Sequence, residues 1–176
     1  MESTPTQPTQ RFYVDTSVIV ARYKPSDELY NSSERLFSQR GILLYVSPLS
    51  LAELYAVLSR VREQIHTPSS IHPSINTLVA FIVRECRLHI ITQANSVTKK
   101  LGTTKLRTSP EYFISMKVAE KLQLKTLDLL HLAYASLARV RYRVNGFVTG
   151  DKEILDRSRL IRTALRLEVL HPVQVI

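Results

Sequence analysis

The chain has very little cysteine, little glycine and no long apolar run. A single Cys86 cannot close an internal disulfide, so the fold needs no oxidising compartment and a cytoplasmic location is expected. Four glycines and eight prolines, with no tract of either, exclude collagen-like and low-complexity architectures. The glycines are also too few for a dinucleotide fingerprint, and no Walker-type phosphate loop or Ser-His-Asp constellation is legible. There is no internal repeat. Apolar runs such as Ile42 to Val46 are far too short to cross a bilayer, so no membrane partner is expected. Met1 to Gln10 is rich in Thr, Pro and Gln and has neither a basic nor an apolar stretch, so residues 1–10 read as a disordered tail rather than a signal peptide. Cys86 and His89 have a spacing found in zinc sites, but no second Cys/His pair accompanies them, and zinc is discounted.

What is present bounds the answer further. With 176 residues, 44% of them hydrophobic, the chain can bury a core, and a single domain over 11–176 is expected. Lys and Arg number 24 against 15 Asp and Glu, a formal charge of +9. That excess attracts polyanions, with nucleic acid the first candidate.

Phe12-Tyr13-Val14 reads as a strand running into a helix after Asp15-Thr16-Ser17. Glu28 to Gln39 reads as a helix, and Ile42 to Val46 as a strand buried on both faces, which favours parallel pairing. Ser47-Pro48 opens a helix carrying Leu51, Leu54, Tyr55, Leu58 and Val61 and ending near Glu63. His66 to Pro73 reads as a polar loop, Ile75 to Glu85 as a helix, and Leu88 to Ile91 as a short strand. Ser109 is expected to cap a helix from Pro110 to about Leu122, and Thr126 to cap another reaching about Ala138. Phe147 to Thr149 is a strand, Gly150-Asp151 a turn, Lys152 to Ser158 a short helix and Leu167 to Leu170 a last strand. Alternating helices and short apolar strands imply an α/β fold, with a central, mostly parallel sheet between helices.

Four acids stand out. Each has a plain explanation, since helix N-termini attract acceptors and negative charge. Asp15 could cap the helix near Ser17, and Ser50-Leu51-Ala52-Glu53 matches a capping box. Asp128 could be a first-turn acid after Thr126, and Asp151 could cap the helix from Lys152. Asp15 and Asp151, however, both follow strands of a parallel sheet, whose carboxyl edge is where ligands bind. Glu53 and Asp128 begin apolar helices. If the four converge, their crowded charge requires cations, and hard divalent ions such as Mg²⁺ or Mn²⁺ prefer such oxygen ligands. An ion held there would activate water for in-line attack on a phosphodiester.

The segment Tyr13-Val14-Asp15-Thr16-Ser17-Val18-Ile19 resembles the opening motif of the PIN-domain family. In order, Leu49-Ser50-Leu51-Ala52-Glu53-Leu54, Leu127-Asp128-Leu129-Leu130-His131-Leu132-Ala133 and Phe147-Val148-Thr149-Gly150-Asp151 are similar to the family's three other acidic motifs. The resemblance spans nearly the whole chain and includes the VapC-like toxin ribonucleases of VapBC toxin–antitoxin pairs. It implies a three-layer α/β/α sandwich and an RNA-cleaving hydrolase. Asp15, Glu53, Asp128 and Asp151 would be catalytic metal ligands, with Thr149, Ser17 and Thr16 as supporting hydroxyls. It also implies a small VapB-like antitoxin and a homodimer, and single-stranded or looped RNA is the expected substrate because such a backbone can enter a narrow acidic cleft. The stretch from Glu53 to Asp128 is longer than in compact toxin-type members, which suggests an insertion around 65–107.

Arg139, Arg141 and Arg143, beside Tyr142, could grip RNA phosphates and stack a base, or simply form a solvated helix end. Lys99, Lys100, Lys105 and Arg107 share that ambiguity. His131, one turn from Asp128, reads as structural and is left out of the site. Two other readings stay open: a non-catalytic RNA-binding or assembly module whose acids only cap helices, and a phosphotransfer protein using Asp15 as nucleophile.

Overall fold

In the computed structural model the described residues are 10–66, 74–92 and 95–175. Most of the expected N-terminal tail, residues 1–9, and most of the expected polar loop, residues 67–73, lie outside them.

Five short strands form one parallel sheet: β1 (Gln10–Val14), β2 (Ile42–Val46), β3 (Leu88–Ile90), β6 (Gly146–Val148) and β7 (Glu168–Leu170), in the order β3-β2-β1-β6-β7. Side chains alternate faces along a strand, and β1 shows the result. Phe12 and Val14 point into one apolar cluster, while Tyr13 points into the other. The first cluster is closed by α1 (Thr16–Ala21), α2 (Tyr30–Ser38), α3 (Pro48–Val61) and α4 (Ile75–Glu85). The second is closed by α5 (Pro110–Leu122), α6 (Thr126–Tyr142), α7 (Lys152–Asp156) and α8 (Ser158–Leu165). Helices therefore cover both faces, giving the expected three-layer sandwich. β2 is parallel to both neighbours, with Leu44, Tyr45 and Val46 buried, as its unbroken apolar run requires.

Several local expectations shift. The capping box of α3 is Ser47 with Ser50, not Ser50 with Glu53, because Pro48 presets the first helical turn one residue after Ser47. Ser109 precedes α5, but its hydroxyl donates to Glu111 Oε1 rather than accepting from the helix. Thr126 is the first residue of α6, and Lys125 stands at the cap without a side-chain bond. That helix continues four residues past Ala138, to Tyr142. The helix after Asp151 stops at Asp156, and a second one, α8, follows immediately.

Within 65–107, α4 and β3 are part of the main core: Leu78, Val79 and Ile82 are buried in the first cluster and β3 extends the sheet beyond β2. Residues 97–108 form a separate antiparallel hairpin, β4 (Val97–Leu101) and β5 (Thr104–Thr108). Its loop begins with Gly102 at φ +60°, the residue a two-residue turn needs at its first central position. The hairpin carries Lys99, Lys100, Lys105 and Arg107, with Lys100 facing Lys105. Among the described residues, no helix is long and apolar enough to cross a membrane.

Candidate active site

The chain reverses its direction of travel across the sheet at β1. It moves outward from β1 to β2 and β3, then returns to add β6 and β7 on the other side. Connections leaving the carboxyl ends of β1 and β6 therefore diverge, opening a crevice between them. Asp15 follows β1, with its N–H bonded to Val148 O, and Thr149-Gly150-Asp151 follows β6. Both expected strand-end acids emerge there. Glu53 arrives on the second turn of α3 and Asp128 on the first turn of α6. All four line one cavity of about 480 Å³, together with Thr16, Ser17 and His131.

The hydroxyls hold the carboxylates. Thr149 Oγ1 donates to Asp15 Oδ2 at 2.6 Å and Ser17 Oγ donates to the same oxygen at 3.0 Å. Thr149 Oγ1 also accepts from the Asp151 N–H at 3.0 Å, coupling the two strand ends. Thr16 Oγ1 donates to Glu53 Oε2 at 2.7 Å. Asp15 stands at the cap position of α1 but makes no side-chain cap bond, and Glu53 is no capping partner, so for these two capping is not the explanation. Asp151 does cap α7, accepting from Glu153 N at 2.7 Å and Ile154 N at 3.3 Å, both through Oδ1. In Asp15, Glu53 and Asp151 one oxygen is tied by the protein and the other has no protein partner among the described residues. Asp128 Oδ2 is buried with no hydrogen-bond partner among the described residues.

His131, set aside on sequence grounds, belongs to this site. It is 3% exposed, and its Nε2 lies 2.5 Å from Glu53 Oε2. Its Nδ1 lies 3.0 Å from the Tyr13 hydroxyl, which also reaches Ser47 Oγ at 2.7 Å and Ser50 Oγ at 3.0 Å. Asp15, Glu53 and His131 offer donor atoms all within 4.8 Å of one another, yet both ring nitrogens already face partners, so His131 orients Glu53 instead of offering a free lone pair. The signal for it was its placement three residues after Asp128, on the same helix face.

Electrostatics follow the geometry. Burial raises the Asp128 carboxyl above the ordinary carboxylate range, and the charges of Asp151 and Asp15 push the same way. Burial would also raise Glu53, but the hydrogen bond and charge of His131 and the Thr16 hydroxyl together hold it below that range. Burial alone would lower His131; Glu53 and the neighbouring acids raise it instead. Crowded carboxylates with one buried, unsatisfied oxygen fit a hard divalent cation, which takes oxygen ligands and cancels their repulsion.

The sequence model of the PIN domain family matches residues 12–160. The chain belongs to the PIN domain family. PIN domains are nucleases, and the four acids of this one line a single cavity. Comparison with curated proteins finds no match. Among solved structures, this PIN domain resembles VapBC2 from Rickettsia felis bound to a DNA fragment from their promoter, with a TM-score of 0.54 and 15% identity, covering 92% of this chain and 98% of that one. It also resembles VapBC-1 from nontypeable Haemophilus influenzae, with a TM-score of 0.55 and 12% identity, covering 93% and 99%. At such identities the likeness is one of fold.

The PIN domain does not bring Arg139, Arg141 and Arg143 to its carboxylates. They occupy the end of α6 remote from Asp128, which at 1.5 Å per residue is roughly 20 Å away. Arg141 donates to Thr92 O at 3.0 Å, Arg143 terminates the helix at φ +57°, and Tyr142 stacks on Tyr45 at 5.4 Å between centroids. The ring of Tyr142 is thus engaged within the fold.

Proposed function

We propose that this PIN domain is a metal-dependent endoribonuclease in which Asp15, Glu53, Asp128 and Asp151 hold Mg²⁺ or Mn²⁺. The observation that carries this reading is the convergence of four acids, from four separate elements, on one cavity in which Asp128 Oδ2 is buried and unpartnered. Bound Mg²⁺ or Mn²⁺ would cancel the carboxylate repulsion and lower the pKa of an attacking water. The chain's own residues fix the ligands beforehand. Thr149 and Ser17 hold Asp15 by one oxygen, Thr16 and His131 hold Glu53 by one oxygen, and the cap bonds hold Asp151. Each is left with a free oxygen in a set orientation, so little reorganisation is needed when the ion binds.

The fold likeness to the two VapBC structures supports a VapC-like toxin role, with a VapB-like antitoxin as partner, a homodimer as the assembly and cytoplasmic RNA as the target. A single strand or loop suits a cleft of this size better than a duplex. Calorimetry with Mn²⁺ on the wild type and Asp15→Asn tests the reading, alongside cleavage of single-stranded RNA. Binding should weaken at least tenfold in the variant, and Asp151→Asn should abolish cleavage while retaining RNA affinity. Equal Mn²⁺ binding by wild type and Asp15→Asn would overturn the nuclease assignment.

A further inference from the structure

The cavity extends well past the acids. Glu53, Val57 and Val61 recur every four residues on α3, so they share one face of that helix, and all three line the cavity. Thr16 and Val20 repeat this spacing on α1, and Lys24 follows just past the end of that helix; they line it too. The cleft therefore starts at the four converging carboxylates and continues along Val20, Leu29, Val57 and Val61, an aliphatic wall bordered by Lys24 and Asp27. Val61 lies roughly 12 Å along α3 from Glu53. The whole cavity, about 480 Å³, falls in the range of sites that enclose a small organic ligand.

Among the described residues, Lys24 is the one Lys or Arg lining this cavity. It is partly buried and makes no ion pair among the described residues, although carboxylates share the cavity. An unpaired ammonium at the border of an acidic pit is free to meet an incoming anion, and its compact charge suits a phosphate.

We propose that this part of the cleft is a seat for one nucleotide of the RNA, next to the scissile bond, with the aliphatic wall covering the face of an unstacked base and Lys24 contacting its phosphate. The seat rests on the nuclease reading above. Its occupant follows from the chemistry at both ends. The chain's charge of +9 favours a polyanion, and a sugar–phosphate backbone alone has no apolar face to keep the wall dry. Single-stranded RNA supplies both, because its bases can splay out.

The test is Mn²⁺-supported cleavage of a short labelled oligoribonucleotide, with a single abasic nucleotide walked through the positions around the cut. The wild type should lose about tenfold in kcat/KM when the abasic nucleotide occupies one position beside the cut. Val57→Asn and, independently, Leu29→Asn should erase that difference. Lys24→Ala should raise KM about tenfold and make the slope of log(kcat/KM) against log salt shallower by about 0.7, and Lys24→Arg should restore most of both. Wild-type KM and salt slope in Lys24→Ala, or no abasic-sensitive position, would overturn the seat. An abasic effect unchanged by both wall variants would also overturn it and leave the wall to another occupant, such as a protein segment. Failure of the nuclease reading looks different: no cleavage by wild type, or equal cleavage by Asp15→Asn, and the seat falls with it.

Discussion

Tyr13 shows how a single side chain can serve both core and site. Its ring is fully buried against Phe147, while its hydroxyl reaches Ser47, Ser50 and His131. Tyr13→Phe should destabilise the protein by about 1–3 kcal/mol, because buried partners lose their hydrogen bond; urea unfolding checks this, and an unchanged midpoint would show that the hydroxyl network is dispensable. Gly150 is needed for a different reason. A Cβ there would come within 2.1 Å of Leu29 Cδ1, so Gly150→Ala requires the flexible end of Leu29 to turn aside and should cost about 1 kcal/mol or less. Adding Leu29→Ala should relieve that clash, and a double-mutant cycle that shows no coupling would contradict the contact. At this scale the four acids and three hydroxyls were legible as candidates because each sits at a strand end or helix start. His131 was less so: its place three residues after Asp128 puts it on the same side of α6, but a histidine on an apolar helix face does not by itself show whether it partners Glu53 or packs in the core.

Helix α3 divides its labour by spacing. Leu54 and Leu58 are fully buried and anchor it to the sheet, while Glu53, Val57 and Val61 face the cleft. Leu58→Ala should therefore cost roughly 2–5 kcal/mol of stability without changing Mn²⁺ affinity in calorimetry; a large loss of affinity would mean that the two faces are not independent. The hairpin β4–β5 is the opposite kind of element. β5 is exposed along most of its length, and among the described side chains neither strand contributes to the two core clusters. Bridging residues 97–108 by a short linker should shift the thermal midpoint by no more than about 2–4 °C, the equivalent of about 1 kcal/mol in a chain of this size; a collapse in the midpoint would reveal a hidden core role. The hairpin was not legible because its sequence shows no apolar face: Thr-Lys-Lys and Thr-Lys-Leu-Arg give no apolar alternation, and its one signal is Gly102. Helix α8 was missed because its apolar stripe, Ile161, Ala164 and Leu165 on the second cluster, spans only two turns, too short a run for helical periodicity to stand out.

At the scale of the whole molecule, burial sets an alkaline limit. It raises the Tyr23 and Tyr134 hydroxyls and the Cys86 thiol, with Cys86 itself adding to the shift at Tyr23 and Glu111 to that at Tyr134. Groups whose folded values exceed their unfolded ones stabilise the fold fully below the unfolded value and lose that contribution as pH rises through the folded one. Stability should thus hold up to about pH 9, the ordinary thiol value, and decline above it; chemical unfolding across pH 7 to 11 checks this, and a flat profile would count against burial as the cause. Composition and periodicity by themselves determined the class of fold, because a parallel sheet covered on both faces requires unbroken apolar strands alternating with amphipathic helices. They also nominated Asp15, Glu53, Asp128 and Asp151, each by its place beside a helix start. Only the tertiary structure decided that these acids share a cavity, that His131 locks Glu53, and that the arginines at the far end of α6 stand apart. Proximity between residues distant in the chain is fixed by strand order and helix packing, and a local pattern carries no measure of either.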